Sequence, residues 1–195
     1  MAALLVVLGS TMARAKKILS AVQHGATLYQ NEEVVVVFAL IEGEVPDLEV
    51  IGRTIGEEEG GLDIRLYHPL ESDPQIRIPL ASTDQHILVF NGMTPDEGME
   101  EEFNAWYADE HIAMLQQVPG WRSSIRFKLL HALGDPQTGG VTKYLALHEW
   151  ATRDAFSTKE FQAATNTPWR TRVVIGGVHQ KERLVLEFQG EAKLM

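Results

Sequence analysis

The sequence has no cysteine, which removes disulfides, thiolate metal sites and thiol nucleophiles from consideration. It is also poor in positive charge: 17 Lys and Arg stand against 27 Asp and Glu, giving a net charge of -10. Such a surface repels phosphate backbones unless a local basic patch outweighs it. The densest basic cluster, Arg14-Ala-Lys16-Lys17, is short, so nucleic acid is not an expected partner. No apolar run approaches the roughly 20 residues that span a membrane. The opening "MAALLVVLGSTMARA" has an apolar stretch and an Ala-x-Ala, but no charged n-region, and its core from Leu4 to Leu8 is short. It reads as a buried strand, and the expected location is cytoplasmic. Gly-x-Gly-x-x-Gly and Gly-x-Ser-x-Gly are both missing, and "GEEEGG" is acidic where a phosphate loop needs open amides. His-x-His and His-x-x-x-His spacings are missing too. The expectation is therefore no metal and no cofactor.

What is present is an ordinary globular composition, 45% hydrophobic and 23% charged over 195 residues. That length suits one large domain or two small ones packed together. Along the chain the same order of elements occurs twice. In the first half, strands are expected at Ala3 to Leu8, Ala26 to Gln30, Val34 to Ile41 and Leu62 to Leu70. Helices are expected at Met12 to Gln23 and about Asp47 to Glu59, where Gly60-Gly61 stops the second. In the second half, strands are expected at His86 to Asn91, Trp121 to His131, Lys143 to Trp150 and Val178 to Gln189. A helix is expected to start at Thr94-Pro95-Asp96-Glu97, where Thr can cap and Pro and acids suit the first turn. It would run to Val118, ended by Pro119-Gly120, and another helix would cover Arg153 to about Thr165.

β-α-β-β-α-β is the ferredoxin-like order. Its sheet carries both helices on one face, so the other face must be covered. Two such sheets facing each other form a barrel with helices outside. The fold class expected is therefore α+β: tandem ferredoxin-like repeats forming a pseudo-dimeric α+β barrel. Two independent lobes are the alternative. The boundaries are 1–72 for a degenerate N-terminal repeat, 73–85 for a linker and 86–195 for the repeat carrying the site. A further homodimer through the outer surface is allowed but not required.

Strand parity separates the side chains into two sets. Leu145 and Leu147 oppose Tyr144, Ala146, His148 and Trp150. Leu184, Leu186 and Phe188 oppose Arg183, Val185 and Glu187. Ile125 and Phe127 oppose Arg122, Ser124 and Arg126. The apolar set suits the helices, and the mixed set suits a ligand cavity.

The stretch "FNAWYADEHIAMLQQVPGW" puts Met99, Phe103, Trp106, Tyr107, Ala113, Met114 and Val118 on one arc of a regular helix. Glu110 falls near the middle of that arc and His111 at its edge. A carboxylate there is either buried and paired, or lines a cleft. Otherwise the helix turns it to water.

These residues carry a resemblance. "EFNAWYADEHIAMLQQVPGW", "RFK", "KYLALHEW" and "TPWR" resemble the EthD-like branch of the dimeric α+β barrel superfamily, in its tandem-repeat, fungal type. The match spans roughly residues 86–190. It is weaker in the first half, through "VFALIEGEVPDLE" and "DIRLYHPLES". The resemblance implies a cleft for aromatic or polyketide-like molecules, as in secondary metabolism. It covers decarboxylases, cyclases, isomerases, dehydratases and cofactor-free oxygenases, and some relatives bind haem. It also implies a His at the cleft, and His111 matches. The first half lacks that motif, so one active cleft per chain is expected.

The expected catalytic residues are His111, His148 and Tyr144, with His111 as general base or acid. Arg126, Tyr107, Trp106, Glu110, Trp150 and Asn91 are expected to bind the substrate, Glu110 chiefly by orienting a neighbour. Arg170 is expected to pair with an acid. The leading reading is cofactor-independent proton-transfer chemistry, as a lyase, cyclase or isomerase, on a hydrophobic, aromatic small molecule. A non-catalytic ligand-binding or stress-associated barrel and a cofactor-free oxygenase of a phenol are the alternatives.

Overall fold

The structure, a computed structural model, describes residues 2–9, 11, 15, 26–43, 47–55, 61–70, 86–134 and 140–191. The expected linker and most of the helix expected over Met12 to Gln23 lie outside them. Eight strands form the barrel: β1 (Ala2–Gly9), β2 (Ala26–Gln30), β3 (Val35–Glu42), β4 (Leu62–Pro69), β5 (Ile87–Pro95), β6 (Trp121–Gly134), β7 (Tyr144–Trp150) and β8 (Val178–Glu191). Among the described residues, four helical segments and a 3-10 turn lie outside it. α1 is Leu48–Ile55, opened by Asp47, whose carboxylate accepts from the Glu49 amide. α2 runs as α-helix over Glu100–Trp106, as a π turn over Tyr107–His111 and as α-helix again over Ile112–Leu115. α3 is Lys159–Ala164, capped by Thr158. α4 begins at Pro168–Arg170 and continues as a π turn, Thr171–Ile175.

The strands close in the order β1-β3-β2-β8-β5-β7-β6-β4 and back to β1, with all neighbours antiparallel. Each half has the same internal order, fourth strand, first, third, second. The halves meet where the second strand of one pairs with the fourth of the other, at β2–β8 and β4–β6. This is a pseudo-dimeric α+β barrel made by one chain.

The lumen is packed with hydrocarbon. Leu4, Val6, Leu8, Phe38, Phe90, Phe127, Leu145, Leu147, Leu184 and Leu186 form one buried cluster inside the barrel. The sequence reading paired residues with the correct neighbours on each strand face, but it sent the faces the wrong way. The Leu-rich face fills the lumen, and the mixed face of Tyr144, His148 and Arg126 meets the helices. An eight-stranded barrel is just wide enough for side chains to fill, so its most apolar face closes inward. One charged group shares the lumen. Arg65 is fully buried and binds Asp63 on its own strand, at 2.6 Å, and Glu182 on β8, at 2.5 Å, which ties the two halves together.

The outer face differs between the halves. In the first, Leu5, Val7, Leu28, Val37, Ile64 and Leu66 pack with Leu48 into an apolar layer. In the second, the layer beneath α2 holds two histidines, a tyrosine and an arginine.

Two helix boundaries also need correction. Thr94 and Pro95 end β5 rather than start α2. The Thr94 hydroxyl accepts from the Lys143 amide instead of capping, and α2 begins at Glu100 without a side-chain cap. The stretch from Arg153 is a 3-10 turn, Arg153–Ser157, broken at Thr158 by an extended backbone, ψ 153°, so that its side chain can cap α3.

Candidate functional site

The π turn decides what α2 presents inward. Its i→i+5 bonding adds a residue to one turn and shifts the phase of everything after it. His111 is consequently buried, 5% exposed, while Glu110 is half-buried and Ala113 faces solvent. The regular wheel had placed Glu110 inward, His111 at the edge and Ala113 in the stripe, and those placements are corrected.

The His111 ring stacks on Trp106, with centroids 4.3 Å apart and planes at 25°. Its Nδ1 is buried without a hydrogen-bond partner. The bond that the ring makes to the Ala164 backbone therefore uses Nε2. Ala164 ends α3, where carbonyls lack helical partners and accept from other groups. Burial first, then the neighbouring His148 and Arg170, hold the His111 pKa well below 6.5.

His148 lies across from it on β7, with ring centroids 6.1 Å apart. The Ser124 hydroxyl accepts from Trp121 Nε1 at 3.0 Å and lies 2.7 Å from His148 Nδ1. That hydroxyl fixes the His148 ring through Nδ1, and the other ring nitrogen, Nε2, is buried and unpartnered. Burial, followed by Arg126 and Arg183, pushes the His148 pKa down to about 3. Both rings are neutral at pH 7.

Both line a half-open cavity of about 90 Å³ between α2, α3, α4 and the sheet, together with Trp106, Trp150, Asn91 and Phe161. Of the residues expected at the site, His111, His148, Trp106, Trp150 and Asn91 thus share one wall. Tyr107 sits directly behind it. Its ring stacks over His148 at 6.4 Å, its hydroxyl accepts from Asn91 at 3.4 Å, and burial pushes its pKa up to about 12. The Arg126 guanidinium lies over the Tyr107 ring at 4.1 Å and donates to Asn104 at 2.6 Å.

Tyr144 is not part of the wall. Four residues along β7 from His148, it donates to Glu100, which also holds Lys143 at 2.5 Å. The hydrogen bonds from Lys143 and then Tyr144 hold Glu100 down at about 2. The expected His148–Tyr144 pair does not form, because residues four apart on a strand are about 13 Å apart.

Glu110 joins elements. It accepts from Trp106 Nε1 at 3.1 Å and from the Thr167 hydroxyl at 2.6 Å. That hydroxyl in turn accepts from the Arg170 amide and caps α4. The carboxylate thus fixes the indole on which His111 stacks and the start of the helix that carries Arg170. Arg170 and Arg183 line the cavity and had not been counted as site residues. The Thr167-Pro168 pair, a cap followed by Pro at the first turn, was the available signal for α4.

A larger depression of about 750 Å³ lies elsewhere, open to solvent along Gln30 to Glu33, Arg153 and Glu187. None of its lining residues is buried, so it lacks a desolvated group to activate. Among the described residues no three His, Cys, Asp or Glu side chains are grouped to hold a metal. No helix among them is long and apolar enough to cross a membrane.

No protein-family model matches the chain, and no curated protein does. Solved structures do. An anthrone oxidase-like protein superposes with TM-score 0.65 at 16% identity, over 97% of this chain and 92% of its own. A ferredoxin-fold protein related to antibiotic biosynthesis monooxygenases, from Listeria monocytogenes, gives TM-score 0.62 at 14% identity, over 97% and 95%. A heme-degrading enzyme from the same organism gives TM-score 0.57 at 13% identity, over 96% and 99%. At these identities the likeness is one of fold, the ferredoxin-like α+β barrel. Haem does not fit the cavity described above: drug-sized ligands already need roughly 300 Å³, against about 90 Å³ here.

Proposed function

We propose that the chain is an enzyme of the EthD-like kind. It would perform proton-transfer chemistry on a small aromatic or polyketide-like molecule, with His111 and His148 as a complementary pair. The observation that carries this reading is the pair of buried, unpartnered ring nitrogens, His111 Nδ1 and His148 Nε2, on two histidines that line one cavity; in the reaction they take complementary states, a lone pair on the first and an N–H on the second. His111 Nδ1 takes a proton from a carbon or hydroxyl of the substrate. The His148 N–H donates to the oxygen on which negative charge collects, and the imidazolium of His111 returns its proton at the end of the reaction. Preorganised donors in a desolvated site are effective in this role, and general acid–base catalysis typically contributes about a hundredfold to ten-thousandfold. Trp106, Trp150 and Phe161 form flat walls for a ring. The cavity accommodates about one ring, and any remaining part of the substrate lies at the open mouth.

The solved neighbours include an anthrone oxidase-like and a monooxygenase-like protein, which favours a second reading. In it the same proton abstraction forms a phenolate or enolate that then reacts with dioxygen. The test is turnover of a panel of hydroxylated aromatic ketones and acids by purified protein, in air and without oxygen. Anaerobic turnover supports lyase, cyclase or isomerase chemistry, and oxygen-dependent turnover supports the second reading. Binding without turnover across the panel in both atmospheres would leave a ligand-binding barrel and overturn the enzyme.

A further inference from the structure

The protein is strongly acidic, yet the cavity is bordered by cations. Arg170 of α4 and Arg183 of β8 both line it. Every other arginine described around the second-half layer has an acceptor or acid: Arg122 has Glu149, Arg126 has Asn104, Arg153 has Glu187, and Arg172 has Glu102. Among the described residues, neither the Arg170 nor the Arg183 guanidinium has an ion pair or side-chain hydrogen bond. Arg183 is exposed and lies over the face of Phe156, at 5.8 Å. The two α2 acids that reach α4 are both occupied, Glu110 by Trp106 and Thr167 and Glu102 by Arg172. Next to these two cations lie His111 and His148, each presenting a buried unpartnered nitrogen. A guanidinium fork matches a carboxylate in shape and hydrogen bonds, and two forks left open at one half-enclosed cavity leave a positive charge that an anionic ligand would neutralise.

We propose that Arg170 and Arg183 form an anion-binding subsite that selects a small aromatic carboxylate and holds its ring against Trp106 and Trp150. The assignment deepens the acid–base reading of the same cavity and rests on it for catalytic meaning, though not for binding. Arg170 is half-buried, and burial lowers its pKa, a cost that a bound carboxylate offsets; Arg183 is exposed and adds charge rather than a desolvated partner. Bound negative charge also opposes the cationic field on His148, which comes from Arg126 and Arg183.

The test is binding of benzoate, with benzamide as neutral isostere, by calorimetry at pH 7 and low salt. Wild type is expected to bind benzoate at least tenfold tighter than benzamide. Arg170→Gln and Arg183→Gln should each weaken benzoate at least tenfold and leave benzamide within threefold. His148, followed by NMR, should titrate at higher pH with benzoate bound, and less so in Arg183→Gln. Equal affinity for the two probes, or benzoate binding unchanged in both variants, would overturn the subsite. Circular dichroism confirms that the variants are folded, and Arg170→Lys supplies a second test that keeps the charge while losing the fork. A result with selective benzoate binding but no turnover on any substrate would retain this subsite and remove the enzymatic reading. Turnover without anion selectivity would do the reverse.

Discussion

Lowering the pH from 7 to 5 should unfold part of this protein's stability margin through two residues. His111 and His148 are neutral when folded, with pKa values held below the 6.5 of an exposed imidazole, that of His148 at about 3. In the unfolded chain both rings take a proton as pH falls through 6.5. In the folded chain they do not until far lower pH. The unfolded state therefore binds more protons throughout this window, and stability falls as pH falls. The full stability is present above about 6.5 and is lost progressively toward the folded pKa values. One pKa unit corresponds to about 1.4 kcal/mol, so pH 5 costs about 2 kcal/mol for His148, and His111 adds to the loss in the same direction. Glu100, which the fold holds down at about 2, costs stability only as pH drops through its unfolded value near 4.5, and Glu182, which burial pushes up, acts with the opposite sign and equally in wild type and variant. The assay is urea denaturation at pH 7, 6 and 5 on wild type and His111→Gln/His148→Gln. Wild type should lose stability with the slope expected for two protons, and the variant should be nearly flat. A flat wild-type profile would show that the rings are not held neutral, and the argument from their burial would collapse.

The buried triad yields a prediction of opposite sign. Arg65→Met leaves Asp63 and Glu182 facing each other in the lumen without a cation, and losing one partner of a buried pair costs about 3–5 kcal/mol. The abandoned carboxylates then prefer to be protonated, so the variant should recover stability between pH 7 and 5, where wild type loses it. Equal pH slopes in the two proteins would refute this role for Arg65. Glu110→Ala strips the acceptor from Trp106 and Thr167 and should cost about 1–3 kcal/mol in thermal melts. Glu110→Gln keeps an acceptor oxygen and should cost less; equal losses would show that the contact network is not what the acid supplies.

Local alternation and turn chemistry carried most of the architecture. The paired β-α-β-β-α-β order was legible because strands such as Tyr144–Trp150 alternate and several breaks carry Gly or Pro, as at Gly60-Gly61 and Pro119-Gly120. The direction in which the strand faces point was not legible, because Leu145 and Leu147 suit a lumen and a helix layer equally well and only barrel closure decides between them. His111 was found through its motif, but its burial depends on a π turn that a 100° wheel cannot represent. Thr94 reads as a cap until Lys143, 49 residues away, takes its hydroxyl. Arg170 was read as half of an ion pair by default. Only the folded arrangement of α2 and α4 reveals that the acids α2 supplies there are committed, Glu110 to Trp106 and Thr167 and Glu102 to Arg172.

The central claim is that His111 and His148 act as one pair. It is tested most directly by kcat for His111→Gln, His148→Gln and the double variant, on whichever panel substrate the wild type turns over. Each single change should reduce kcat by about a hundredfold to ten-thousandfold. The double change should cost little more than the worse single one, as for residues that function as a unit. Single variants that both retain near-wild-type kcat would contradict the account.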